Sequence, residues 1–558
     1  MKKAIILISA LTLSGALCAQ TDNKNAVVNV ENDYNPEVIE VTKKNFTPSD
    51  EVKPNTTPKA LVFSKTGKAY NGFSSEKDIK DALPQKEKPF PGYARVGYGL
   101  TNDIDAKVAY RLGVGKNGAL KAYAGFDGYK SNREHLWSTA AQPSKWNSRL
   151  FKTLAGFGYA HRFKALTLGV DGSFNNNVFN YQSNNAPIAG STDKQSGQNY
   201  KLAINGASPL QGAFSYNFKG DFEYISRNYS SGEQARIDEG RYGVGAGFGY
   251  ELLSKYVNNF GVNLNFDAFT YNSTLKNANK GYNNYFSIDV DPYTTLKFGK
   301  WMLKAGLKMN IITRGEGAFA IAPDFRTESN LLDNITVYGS VTGGRTNNSF
   351  AKLESITPYW GFSKEGEARL KPTYKIVDVN VGSRITFEPL SMEVSAGYAY
   401  TQDDLLETML HEADSITPLL FVNFEQDNTH HAYVALRLGC DLRSWVKLSA
   451  DARYDFWSCG NENLLMMKPQ ITVDANAEAR IIEHLTMRVG YNFTRYTKGG
   501  TLGRLNNKND LYARISYQIT KRYGAYIQGN NLLNCKYFDY AGYVTRGIRG
   551  SLGVTVNF

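Results

Sequence analysis

Along most of the chain, apolar and polar residues alternate one by one. In Leu485 to Phe493 (LTMRVGYNF), Leu485, Met487, Val489, Tyr491 and Phe493 share one parity, and Thr486, Arg488, Gly490 and Asn492 share the other. Successive side chains of a strand point to opposite faces, so such a segment is apolar on one side and polar on the other. VKLSADARYDF (446–456) and ITVDANAEAR (471–480) split in the same way. LYARISYQI (511–519) and WMLKAGLKMNI (301–311) do too. About 22 segments of this kind follow residue 90.

The connectors between them alternate in length. Short ones include GKNG (115–118), LLDN (331–334), EPLS (388–391) and IIEH (481–484). Long ones include 130–148, 183–198, 346–373, 402–417 and 498–509. A soluble sandwich gives no reason for every second loop to be long, whereas a transmembrane barrel has short turns at one rim and long loops at the other. The apolar faces carry many Ala and Tyr rather than bulk Leu, Ile and Val. The polar faces carry Asp, Glu, Arg and Lys in mid-strand. That is the inverted arrangement of a barrel in lipid, apolar outside and polar within. The predicted fold class is all-β, a transmembrane antiparallel β-barrel of about 22 strands over residues 90–558. Tyr and Trp near strand ends suit interfacial girdles.

The first 90 residues break the pattern. MKKAIILISALTLSGALCAQ has the charged start, apolar core and small residues of a secretory signal, which predicts a signal peptide over 1–19. Its apolar run is too short to span a bilayer as a helix. Residues 20–89 hold six of the 17 prolines, and their charges balance at 11 Lys against 11 Asp and Glu. Few aromatics accompany them, so an extended, Pro/Lys-rich segment is expected there. The formal net charge is +12, with Lys and Arg spread singly, which points to anionic lipid or an anionic solute rather than nucleic acid. Cys440, Cys459 and Cys535 are odd in number and widely spaced, so they form neither a disulfide framework nor a metal motif.

Candidate chemistry is sparse. RYGVGAGFGY (241–250) holds a glycine run, but no helix pattern follows Gly249 as a dinucleotide loop requires. Gly243, Gly245, Gly247 and Gly249 all share the polar parity. That is a bare strip of wall to which another backbone can come close, or a site of ordinary sheet bending. DDLLETMLHEAD (403–414) gathers Asp403, Asp404, Glu407, His411, Glu412 and Asp414. Asp404, Glu407 and His411 would share a helical face as metal ligands, but a solvated outer loop is the expected state. His430 and His431 are adjacent on a strand and must face opposite ways. No Ser-His-Asp or Cys-His set is present, so no catalytic residue, metal site or cofactor is expected. Lys304, Lys308, Arg437, Arg453, Arg488 and Arg514 lie on the polar parity, among acidic residues such as Asp324, Asp451, Asp455 and Glu478. Such ladders stiffen a barrel wall or guide a charged solute, and the first role is the commoner.

The last 33 residues, YIQGNNLLNCKYFDYAGYVTRGIRGSLGVTVNF, resemble the C-terminal end of TonB-dependent outer-membrane receptors. The likeness lies in the turn Asn531, Leu532, Leu533 and Asn534, the aromatics Tyr537, Phe538 and Tyr540, and the final strand ending on Phe558. APDFRTESNLLDNITVYGSVTGGRTNNS (322–349) also resembles barrel hairpins of that group. The resemblance implies an outer-membrane location with both termini in the periplasm. It also implies contact with membrane lipid and lipopolysaccharide, and Phe558 as the signal read by the barrel-assembly machinery. Solute passage or TonB-linked uptake follows from it, with TonB and a surface lipoprotein as candidate partners. Glu37, Val38, Ile39, Glu40, Val41 and Thr42 resemble a TonB box, which would join a partner sheet as an added strand. The departure is at the N-terminus, where the roughly 70 residues before the barrel are too few and too polar for the folded plug of that family. A 22-strand barrel encloses a wide lumen, so part of 20–89 is expected inside it as a small extended plug. The alternative function is a non-transporting barrel that anchors or scaffolds a surface complex.

Overall fold

The computed structural model describes residues 90–558, apart from 137, 139–140, 184–193, 209–212, 231–233, 253–255, 274–282, 314–317, 362–369, 412–418 and 443–444. The expectations for the signal peptide, for the 20–89 segment and for residues 37–42 fall outside the described residues.

Twenty-two antiparallel strands pair in sequence order and close into a barrel. Closure is made by Gly92–Gly99 against Arg549–Asn557, in a register from Tyr93↔Asn557 to Gly99↔Ser551. Past the last ladder pairs, Gly92 N donates to Phe558 O at 2.7 Å and Phe558 N donates to Gly92 O at 2.9 Å. The terminal residue is therefore part of the seam. A spanning sheet with an open edge would leave a row of amides and carbonyls without partners in hydrocarbon, at several kcal/mol each.

The alternation places side chains as the pattern predicts. Val96, Tyr98, Leu552 and Val554 project outward at 55–65% exposure, while Arg95, next to Val96 on the opposite parity, is buried at 8%. At the short-turn rim, Phe163, Tyr256, Trp301, Phe387, Trp445 and Phe558 are exposed, an aromatic girdle around the outside. Turns at this rim are tight, such as the two residues, Asp333 and Asn334, between the strands Phe319–Leu332 and Ile335–Thr346.

Strand length varies around the wall. The seam strand Gly92–Gly99 has 8 residues, whereas Leu390–His411 has 22 and Leu419–Leu442 has 24. A tilted strand needs about 9–11 residues to cross a bilayer, so this last hairpin stands well above the membrane. The stretch 403–411 is therefore not the solvated loop expected from its charges but the upper part of a paired strand, in register with residues 420–427. Backbone pairing and apolar burial of Leu406, Leu420 and Phe421, all at 0% exposure, outweigh the local charge density.

The outward and inward faces of the seam carry a test. Val554→Arg puts a charge into the lipid-facing band and is expected to cost about 2–4 kcal/mol near the bilayer midplane. Thr555→Ser, one residue away on the inner face, is expected to be near neutral. Denaturant titrations of folding into lipid vesicles measure both.

Candidate functional site

The structure concentrates its buried side chains at the long-loop rim. The hairpin of the fifteenth and sixteenth strands bends there. Its register shifts between Thr401 and Asp404, and Asp403 takes a positive φ of 48°. Left-handed backbone costs a non-glycine residue about 1–2 kcal/mol, and Asp tolerates it better than most. Below the bend, Val434 and Leu436 face outward and are exposed. Above it, Leu420, Val422 and Phe424, of the same parity, are buried in an apolar cluster.

The bend carries the hairpin across the mouth. Leu419 pairs with Ser183 and Leu420 with Gln182. Gln182 and Ser183 follow the fifth strand, Thr167–Phe179, and Leu419 begins the sixteenth. Strands eleven apart in a ring of 22 are diametrically opposite, so this short ladder joins segments that rise from opposite sides of the opening.

Two further segments complete the cover. The connection between Ile335–Thr346 and Thr373–Phe387 carries a short helix, Phe350–Ile356, that reaches the strands on the far side. Ser349 caps it by accepting from Lys352 N at 3.2 Å. The Glu239 carboxylate accepts from Phe350 N at 2.7 Å and from Ala351 N at 3.1 Å, which satisfies amides a helix leaves unpaired. Past the helix, Val422 N donates to Tyr359 O at 2.9 Å and Gly361 N to Val422 O at 3.1 Å, tying this segment to the hairpin.

The third segment is 531–548. Asn531 and Asn534 both take positive φ. Fully buried Asn531 donates to Cys535 O at 2.9 Å and Arg546 O at 3.0 Å, and accepts from Cys535 N at 3.0 Å. The Asn-Leu-Leu-Asn turn is thus a fold device, since one amide side chain holds both ends of the loop.

At the centre, the Tyr359 and Tyr543 rings stack at 3.9 Å. Burial pushes both hydroxyls well above the usual phenol range, and Tyr543 donates to Leu420 O at 2.6 Å. Trp360, Tyr359, Tyr543, Leu420, Phe421 and Val422 show no exposed surface. Buried beside them, Arg227 forms an ion pair with Glu354. Its guanidinium also donates to Tyr181 Oη at 2.6 Å and to the carbonyls of Pro358 and Trp360, each at 2.7 Å. Trp360 Nε1 and Asn177 Nδ2 donate to the two Glu354 oxygens at 2.7 Å each. Each charge is paired and hydrogen-bonded, as a water-poor setting requires. Sequence reasoning missed this cover, because Arg227, Glu354 and Tyr543 lie more than a hundred residues apart and belong to no motif.

The residues singled out from sequence lie elsewhere. Lys304 pairs with Asp324 at 2.7 Å, Arg437 with Asp451 at 2.6 Å, Arg453 with Asp455 at 2.7 Å and Arg488 with Glu478 at 2.6 Å. Lys308 donates to Gly343 O at 3.1 Å, and Arg514 stacks over Tyr526 at 4.1 Å. All six cations are held by groups of their own or nearby strands rather than gathered at one place. His430 packs on Tyr400 while His431 stacks on Trp457 and meets Asp455 at 2.7 Å, on opposite faces as predicted. Asp404 and Glu407 sit three apart on a strand, so they do not share the face a helix would give them. Among the described residues no group of three or more His, Cys, Asp or Glu is placed to hold a metal ion.

The glycine strip is not bare. A Cβ at Gly243 would come within 2.7 Å of Asp221, one at Gly245 within 2.7 Å of Asn265, and one at Gly249 within 2.6 Å of Ser215. Polar side chains of both flanking strands lean over the glycines, and a cavity of about 150 Å³ lies among Lys219, Asp221, Arg241, Asn265, Asp267 and Asp289.

No family model matches the chain, and no curated protein matches it. Solved structures do resemble it. A mutant of the ferric enterobactin receptor from Pseudomonas aeruginosa (PfeA), in complex with enterobactin, superposes with a TM-score of 0.63 at 10% identity, over 84% of this chain and 81% of the receptor. The copper transporter OprC gives 0.60 at 12% identity, over 84% and 80%. The ferric-catecholate import receptor Fiu from K12 E. coli gives 0.58 at 9% identity, over 85% and 82%. At such identities the likeness is one of fold, that of a closed antiparallel β-barrel of 22 strands.

Breaking one half of the buried pair tests the cover. Arg227→Ala or Glu354→Ala leaves a buried charge unpaired and is expected to destabilise the cover by about 3–5 kcal/mol. The barrel wall should persist. Limited trypsin digestion, scored at Lys352 in the helix, should show cleavage in the variants and protection in the wild type.

Proposed function

We propose that the chain is a non-catalytic outer-membrane barrel of the TonB-dependent-receptor type, for passage or TonB-linked uptake of a solute. The carrying observation is the wide, covered ring. An anchor needs few strands, because a small barrel fills its own interior with side chains. Twenty-two strands enclose a wide lumen, and three chain segments are committed to covering it. A wide lumen with a cover serves passage. The receptor fold supports the same reading, since the solved structures named above are called receptors or transporters.

In this reading the short-turn rim and both termini face the periplasm, and the covered mouth faces outward. The girdle and the exposed apolar band meet lipid and lipopolysaccharide. Phe558 is the residue read by the barrel-assembly machinery, and a surface lipoprotein is a fitting companion at the mouth. The ion-paired ladder through Lys304, Arg437, Arg453 and Arg488 stiffens the wall and presents fixed charge to a solute. Energy enters through Glu37–Thr42, which adds as a strand to TonB.

Proline cannot donate to a sheet ladder, so Ile39→Pro should abolish this contact. The measurement is co-precipitation of the full-length protein with the periplasmic domain of TonB. Equal recovery of wild type and variant would remove TonB from the mechanism and leave passive passage.

A further inference from the structure

We infer that the permeability barrier of this barrel is the cover at its long-loop mouth, built from the wall's own loops, so that a sealed lumen does not depend on residues 20–89. This goes beyond the transport reading and does not rest on it, because an anchoring barrel would need the same seal.

The cover spans the opening. The 419–420 ladder ties the hairpin to the opposite wall, and the 347–361 segment pairs with the hairpin at Val422 and reaches Arg227 and Glu239.

Its attachments run around the ring. On one side Arg133 Nε donates to Val544 O at 2.7 Å and its guanidinium pairs with Asp539 at 2.8 Å. Next round, Trp146 and Phe179 pack against Tyr543 and Tyr359. Tyr271 meets Phe350 edge-on at 5.3 Å. Asn348 donates to Lys371 O at 2.7 Å where the helical segment leaves the wall. Lys468 holds Asp404 at 3.2 Å, and Tyr537 donates to Asp510 at 3.1 Å.

The centre is dry. Six large side chains with no exposed surface form its middle, and closely packed apolar atoms leave no room for a file of water. Opening it would expose these apolar side chains to water, which the hydrophobic effect opposes. A cover of this kind is a packed core, and an ion or small solute meets it as it would meet a protein interior.

The test is single-channel recording of the full-length protein in planar bilayers. Two variants of the full chain carry it. The first, Arg227→Ala with Trp360→Ala and Tyr543→Ala, dismantles the cover and keeps residues 20–89. Barrel integrity is read by heat-modifiable migration in detergent gels. Conductance about tenfold above the wild type is expected, as for an uncovered wide barrel. A heat-modifiable barrel with wild-type conductance would place the barrier elsewhere and overturn the inference.

The second variant cross-links the cover instead of dismantling it, and is compared with itself in two redox states. Gln182→Cys with Leu420→Cys joins direct cross-strand partners in a chain whose Cys440, Cys459 and Cys535 are serines. Its brief openings should be at least several-fold rarer when oxidised than when reduced. Equal opening rates in the two states would show that current does not pass the cover, and would overturn the inference even if the first variant failed to fold.

Discussion

In hydrocarbon no water is available to an unpaired amide or carbonyl, and most of this structure follows from that constraint. A sheet can cross only if its last strand finds its first. Here Arg549–Asn557 meets Gly92–Gly99, and Phe558 exchanges two backbone hydrogen bonds with Gly92. Closure at 22 strands then sets the next problem. The ring that satisfies every backbone group is too wide for its inward side chains to fill.

The wall answers with its own loops. Strands of 22 and 24 residues rise beyond what a bilayer requires, bend at Asp403 and lay an apolar face across the mouth. The helix Phe350–Ile356 and the 531–548 loop pack against that face. Above the membrane the rule of the wall is reversed. Apolar residues turn inward to a water-excluding core, and the ion pair Arg227–Glu354 is tolerated because both Glu354 oxygens and both terminal guanidinium nitrogens of Arg227 are hydrogen-bonded. One chain therefore holds two kinds of apolar burial, one against lipid and one against itself.

The strip at Gly243–Gly249 shows how a local signal can leave two readings open that only the neighbouring strands separate. The parity of its glycines was plain, and they do face inward. Their lack of side chains suggested room for another backbone. Instead Asp221, Asn265 and Ser215 from the flanking strands occupy that room. A missing Cβ is filled by whichever neighbour is nearest, and the register of adjacent strands decides which that is. The same holds for Asp404 and Glu407. A helical spacing means nothing once pairing has made the segment a strand.

Alternation of period two, the paired loop lengths and the terminal aromatic determined the barrel, its strand number near 22, the inner and outer faces and the closing seam. These are local properties, since each strand's two faces are written in its own residues and lipid selects between them. The cover was decided only by tertiary structure. Its contacts join Arg133 to Val544, Arg227 to Glu354 and Gln182 to Leu420, pairs separated by a hundred residues or more, and on one hairpin the same parity faces lipid below the bend and the core above it. Closing the ring brings those segments to opposite sides of one opening, and no window of sequence contains that geometry.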